Sequence, residues 1–137
     1  MYNIDPALWG PDMWNTLHYI TFSYPETPSK TEIENMRAFL TNIGKVLPCE
    51  KCRYHYASNL QKYPLTDVVL GSRYKLISWL VDVHNDVNKR TGKPIVTLEE
   101  TIQRYMYQKK DWKVNPVVIN LIIILTLIVI ILFFYKS

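Results

Sequence analysis

From Val117 to Phe134 the chain runs for 18 residues without a charge, VVINLIIILTLIVIILFF, with Asn120 and Thr126 as the only polar interruptions. In helical form such a run measures about 27 Å, close to the roughly 30 Å hydrocarbon core of a bilayer. Every face of that helix is apolar, and a domain of this size cannot surround it as a buried core helix. The segment therefore reads as a C-terminal transmembrane helix. Residues 114–137 form a membrane anchor behind a folded domain of residues 1–113. Lys109, Lys110 and Lys113 precede the run, and only Lys136 follows it. The positive-inside rule then faces the domain to the cytosol, the topology of a tail-anchored membrane protein.

Residues 1–113 suffice for one modest core and not for two. The net charge of the chain is +4, with no block of five or more basic residues. That dispersal does not point to nucleic acid as a partner. Met1 to Pro11 has neither a basic n-region nor an apolar run, so no signal peptide is expected. Four Trp and ten Tyr suit either a dense aromatic core or a site for a flat cofactor.

Gly10-Pro11 opens a first helical pattern that stops around Tyr24-Pro25. Ser29-Lys30-Thr31-Glu32 is a capping box, followed by an apolar stripe from Ile33 to Leu47. Pro48 ends that helix, and a third runs from Cys49 to about Lys62. A connection from Tyr63 to Gly71 leads to a fourth, from Ser72 or Arg73 to about Arg90, with Gly92 as its stop. A second capping box, Thr97-Leu98-Glu99-Glu100, starts a short fifth helix to about Gln108. Pro94 to Val96 is too short for a strand. The expected fold is all-α, a four-helix bundle plus a short fifth helix, followed by the transmembrane helix.

Three groups of residues carry candidate chemistry. Cys49-Glu50-Lys51-Cys52 holds the only two cysteines, too few for a disulfide scaffold. At a helix start the pair feels the positive end of the peptide dipole, which stabilises a thiolate. The i, i+3 spacing puts both sulfurs on one face. The pair is redox-active or half of a zinc site, with His55 as a third ligand and His18 or His84 as a fourth. Trp14 and His18 share a helix face at i, i+4, as core residues or as a wall and a polar handle for a flat ring. His84, Asn85, Val87 and Asn88 close the fourth helix, followed by Lys89, Arg90 and Lys93. They form either a polar helix end or a set of groups for a ligand, with the cations suited to a pyrophosphate.

Taken together, Trp14-x-x-x-His18, Cys49-x-x-Cys52 after Leu47-Pro48, and His84-Asn85-x-Val87-Asn88 with Gly92-Lys93-Pro94 resemble the Erv/ALR family of FAD-linked sulfhydryl oxidases. The resemblance spans roughly Leu8 to Gln108. It is greatest to the short versions from large cytoplasmic DNA viruses. It implies FAD as cofactor and a helical bundle that forms a homodimer. Trp14, His18 and Tyr24 would contact the flavin or adenine. His84, Asn85, Val87, Asn88 and Lys93 would hold the adenine and phosphate end. Tyr105 falls where many members have a Trp. Cys52 would be the flavin-proximal sulfur and Cys49 the outer one, exchanging with protein dithiols while dioxygen accepts the electrons and yields hydrogen peroxide. The chain lacks the shuttle Cys pair of cellular members, so a thioredoxin-like viral protein would deliver electrons to Cys49, serving disulfide formation in virion proteins. Val81 and Leu98 stand where cellular members carry a structural disulfide. The competing expectation is a zinc-stabilised membrane adaptor without activity; a flavin-free dithiol reductase lacks its usual βαβ context.

Overall fold

The computed structural model describes residues 2–107 and 115–136, apart from the side chains of Val129 and Lys136. The elements are α1 (Pro6–Phe22), α2 (Lys30–Val46), α3 (Glu50–Lys62), α4 (Asp67–Leu70), α5 (Arg73–Thr91), α6 (Leu98–Met106) and α7 (Pro116–Lys136). No strand occurs among the described residues. The all-helical expectation holds. Gln108, the lysines 109, 110 and 113, and the boundary between domain and anchor lie outside the described residues.

Each helix start has a local cause. Ser29 and Thr97 form complete capping boxes with Glu32 and Glu100, each satisfying two backbone donors that a helix start leaves open. α1 begins earlier than expected because Asp5 caps it, accepting from the Ala7 N–H at 2.9 Å, with Pro6 at the first helical position. Pro11 then lies inside α1; it forfeits one hydrogen bond, to the carbonyl of Ala7, near the exposed helix end. Cys49 is the N-cap of α3 rather than its first residue. The expected connection after Lys62 contains the one-turn α4, capped by Thr66. α5 ends where Gly92 adopts the left-handed conformation, φ 69°, which glycine adopts without steric cost.

α5 is the central helix, packed against α1, α4 and α6; α2 packs on α3 and α4, and α1 also meets α6. Leu40, Leu70, Leu76, Leu80 and Val83 are completely buried, with Leu17, Tyr24, Tyr56 and Trp79 around them. The buried ring donors Tyr56 and Trp79 are matched: Tyr56 donates to the carbonyl of Leu40 at 2.7 Å, and Trp79 Nε1 to that of Tyr63 at 2.8 Å. Gly44 lets α2 and α3 approach, since a Cβ there would overlap the Tyr56 ring.

α6 is tied down without a disulfide. The Asn85 amide donates to the carbonyl of Val96 at 2.7 Å and accepts from its N–H at 3.0 Å. Val81 is buried on α5, and Leu98 is partly buried at the start of α6. α7 is long and apolar enough to cross a membrane, and none of that stretch is buried by the rest of the chain.

Candidate active site

Cys49 and Cys52 are joined as a disulfide, with Cα atoms 5.1 Å apart, inside the range such bonds require. Three features build this site. Pro48 breaks the chain between α2 and α3. Cys49 takes an extended conformation, φ −157° and ψ 117°, which turns its Sγ back over the start of α3. There Sγ accepts from the Cys52 N–H at 3.1 Å. The same position would stabilise a Cys49 thiolate by the helix dipole and a backbone hydrogen bond. The Glu50 N–H is taken by Asn3 Oδ1 at 2.8 Å. Arg53 donates to the carbonyl of Leu47 at 2.6 Å, bracing the chain around the motif. Cys52 packs against the hydrophobic core. His55 is turned edge-on to Tyr54. Among the described residues, no three His, Cys, Asp or Glu side chains converge as a metal site would require.

A second constellation is drawn from α1, α5 and α6. His18 Nε2 lies 3.1 Å from His84 Nδ1. Trp14 stacks on His84, ring centroids 3.9 Å apart and nearly parallel. Tyr105 stacks on the His18 ring at 4.6 Å, and its hydroxyl donates to Asn15 Oδ1 at 2.8 Å. The two imidazoles and Tyr105 border a cavity of about 430 Å³ lined by His18, His84, Asn88, Lys93, Pro94, Val96, Glu100, Thr101, Arg104 and Tyr105. Both imidazoles are held neutral. Burial, then His84 and Arg104, lower the His18 pKa to about 4. Burial, then Lys93 and Arg104, lower that of His84 to about 4.

His18 is 1% exposed, and its Nδ1 has no hydrogen-bond partner. A buried polar atom without a partner, on a side chain that lines a cavity, calls for one that a ligand group can supply. The cavity has the size of small-molecule and cofactor sites. Its lining combines flat rings, an open imidazole nitrogen and the cations Lys93 and Arg104, the donor set that an aromatic ring system carrying phosphates requires. The residues thus fit a dinucleotide such as FAD.

The structure brings Trp14, His18, His84, Asn88, Lys93 and Tyr105 together. All of these but Trp14, which stacks behind His84, line the cavity; Asn85, Val87 and Tyr24 do not. Asn85 spends both ends of its amide on Val96 and so shapes the cavity's edge. Val87 does not line it, and Tyr24 is in the core, donating to the carbonyl of Leu70 at 2.9 Å. Arg104, Glu100 and Thr101 were missed from sequence. Their signal was present, since Glu100 and Arg104 share a face of α6 at i, i+4 with Thr101 between them.

Known proteins share the sequence and the fold of this chain. The family model described as Erv1 / Alr family matches residues 11–113. A probable FAD-linked sulfhydryl oxidase of Acanthamoeba polyphaga mimivirus is 42% identical over 100 residues, covering 73% of this chain and 70% of that protein. An FAD-linked sulfhydryl oxidase of African swine fever virus is 37% identical over 92 residues, covering 67% and 75%. Among solved structures, the FAD-binding domain of Erv1 from Saccharomyces cerevisiae superposes with a TM-score of 0.70 at 26% identity, covering 75% of this chain and 95% of that one. The motifs, the bundle and the match across the whole folded domain agree: the chain belongs to the Erv1/Alr family.

Proposed function

We propose that the chain is an FAD-dependent sulfhydryl oxidase that forms disulfides in protein substrates. The observation that carries this reading is the pairing, in one small bundle, of a disulfide at a helix N-terminus with an aromatic cavity holding an open imidazole nitrogen. The viral relatives are named as FAD-linked sulfhydryl oxidases, and the family membership supports FAD and thiol oxidation for this chain. Trp14, His18, His84, Asn88, Lys93 and Tyr105 would hold the cofactor, joined by Arg104, with Asn85 fixing the cavity's edge. For Tyr24 and Val87 the reading rests on the family resemblance alone.

The chemistry of the pair is thiol–disulfide exchange. A substrate thiolate attacks Cys49 Sγ; a sulfur–sulfur bond forms to Cys49, the Cys49–Cys52 bond breaks, and its electron pair stays on Cys52 as a thiolate. The second substrate thiolate displaces Cys49, leaving an oxidised substrate and a reduced pair. The Cys52 N–H and the α3 dipole stabilise the departing Cys49 thiolate. Packing of Cys52 on the core, with Cys49 at the helix cap, supports Cys49 as the outer sulfur. The cavity residues would hold FAD, whose chemistry when bound would be to take the two electrons of the reduced pair on to dioxygen, giving hydrogen peroxide. His18 and His84, held neutral, add no charge to the cavity wall, and Lys93 and Arg104 would offset phosphate charge.

The apolar helix α7 and the lysines before it support an anchor that leaves the domain in the cytosol, in an intracellular or virion membrane. Absence of a second Cys pair supports delivery of electrons by a thioredoxin-like viral protein, within a viral pathway for virion disulfides. Homodimer formation rests on the family resemblance.

The test is an absorption spectrum of the full chain purified in detergent. Flavin bands that bleach under anaerobic dithiothreitol and return in air, with one hydrogen peroxide per dithiol oxidised, are expected. A colourless protein that does not take up added FAD removes the proposal.

A further inference from the structure

The peptide groups around Cys49 are held from two directions. Its own N–H donates to the carbonyl of Leu47 at 2.8 Å, and that carbonyl also accepts from Arg53. The other two holds come from residues far away in the chain. The Ile4 N–H donates to the carbonyl of Pro48 at 2.7 Å, and Asn3 Oδ1 accepts from the Glu50 N–H at 2.8 Å. Residues 3 and 4 thus run antiparallel beside residues 48–50, with one bond on each side of Cys49. The segment is itself anchored: Trp9, packed against the core, donates from Nε1 to the carbonyl of Ile4 at 3.2 Å. While the disulfide is closed, the covalent bond fixes Cys49 Sγ beside the start of α3. Once it opens, the side chain is free to change rotamer and the backbone on either side is free to turn. The hydrogen bonds to residues 48–50 then carry the geometry.

We propose that Asn3 and Ile4 are positioning residues of the active site, clamping the peptide groups on both sides of Cys49 so that its sulfur stays over the Cys52 N–H after the disulfide opens. The inference rests on the oxidase reading, because that activity is what cycles the pair between closed and open. The Cys52 N–H reaches Cys49 Sγ, at 3.1 Å, because Cys49 holds its extended conformation. A hydrogen bond to an ionised sulfur is stronger than one to a thiol. The clamp therefore favours the thiolate, the form that exchanges. Asn3 does this without charge. An aspartate in its place would hold the Glu50 N–H as well and would set a carboxylate near the sulfur, opposing ionisation.

The experiment uses the full chain in detergent carrying Cys52→Ser, which leaves Cys49 as the single cysteine and keeps the backbone N–H that faces it. Alkylation by iodoacetamide is timed at neutral pH and at about pH 10.5, where an ordinary thiol is fully ionised. Thermal unfolding is recorded beside it. Adding Asn3→Ala should slow alkylation at neutral pH by about three-fold, the scale of one hydrogen bond in competition with water. The rates should converge at the higher pH. Adding Asn3→Asp instead should slow the neutral-pH rate while leaving the unfolding midpoint in place. That loss should shrink in concentrated salt, which screens a carboxylate, whereas the loss in Asn3→Ala should not. A fall in the unfolding midpoint of Asn3→Ala with an unchanged alkylation rate is the signature of a merely structural tie and overturns the proposal. A rate difference that persists at the higher pH overturns it too, because access and not ionisation would then have changed. None of these readouts uses flavin or oxygen. A colourless protein inactive with dithiols removes the oxidase reading, and that outcome is distinct from an alkylation rate indifferent to Asn3.

Discussion

The two constellations are built in opposite ways. The Cys49–Cys52 site is local: two residues three apart, a proline before them and the start of α3 supply the bond, the dipole and the N–H. The His18–His84–Tyr105 cavity is assembled from α1, α5 and α6, with hydrogen-bonded partners 66 and 90 positions apart. A local site survives small shifts between helices, whereas an assembled one depends on every helix that contributes a wall. Changes at the first should therefore abolish chemistry and leave cofactor binding. Changes at the second should release the cofactor and leave the disulfide.

The largest expected effect tests the first half of that comparison. Cys49→Ser should lower oxidation of a protein dithiol by about 10³-fold or more, since the covalent step has no substitute. Its flavin absorbance should match the wild type. Loss of flavin together with turnover would show that the two regions are one unit. Next comes the converse, His18→Ala. It removes the open Nδ1, the partner of His84 and the surface under Tyr105. FAD affinity, measured by titration of the apoprotein, should weaken by about 2–3 kcal/mol, the range for a buried hydrogen bond lost together with its packing. The Cys49–Cys52 disulfide, counted by thiol labelling, should still form.

The same contrast explains what the sequence made legible. Capping boxes at Ser29 and Thr97 and the glycine stop at Gly92 are short-range physics, and the helices they bound are observed. The cysteine pair was readable for the same reason. α1 starts earlier than the Gly10-Pro11 signal indicates because Asp5-Pro6 offers a cap and a first-turn proline before it. α4 escaped notice because four residues carry no periodicity. The cavity was half legible: motif spacing indicated His18 and His84. Nothing in spacing shows that α6 swings Arg104 and Tyr105 over them, or that Asn85 turns to Val96. Those outcomes follow from tertiary packing between distant segments.

Proton binding sharpens the comparison further, because only the cavity holds buried imidazoles. Both have folded pKa values near 4, below the usual 6.5. The unfolded chain therefore takes up protons first as pH falls. The stability tied to their neutral state is complete above pH 6.5, erodes between 6.5 and 4, and is gone once the folded rings protonate as well. Thermal unfolding of the apoprotein should show a falling midpoint across that window, with a shallower fall in His18→Ala. An unchanged slope would remove His18 as a contributor. The Cys49 site offers no such group.

Gly44 tests the seam beneath the local site. A methyl there meets the buried Tyr56 ring, whose hydroxyl is already committed to Leu40. Gly44→Ala should destabilise the domain by about 1–3 kcal/mol through overpacking. Because the strain falls between α2 and α3, the affinity of the folded protein for FAD should change little. Gly10→Ala is the control, with nothing within 4 Å of the added carbon.

The smallest effect separates two contributions of one residue within the cavity. Tyr105 stacks on His18 through its ring and reaches Asn15 through its hydroxyl. The hydrogen bond is exposed, so water replaces it readily, while the stacking covers an imidazole whose Nδ1 has no other partner. Tyr105→Phe should therefore cost no more than about 1 kcal/mol in stability or FAD affinity. Tyr105→Ala opens the His18 ring to water and should cost more, by about 0.5–1.5 kcal/mol for the aromatic pair beyond the lost area. It should also raise the His18 pKa, since burial is the first cause of its depression; the imidazole proton resonances would report that change across a pH titration. Equal effects of the two substitutions would place the worth of Tyr105 in its hydroxyl, making α6 a latch onto α1 rather than a wall over His18.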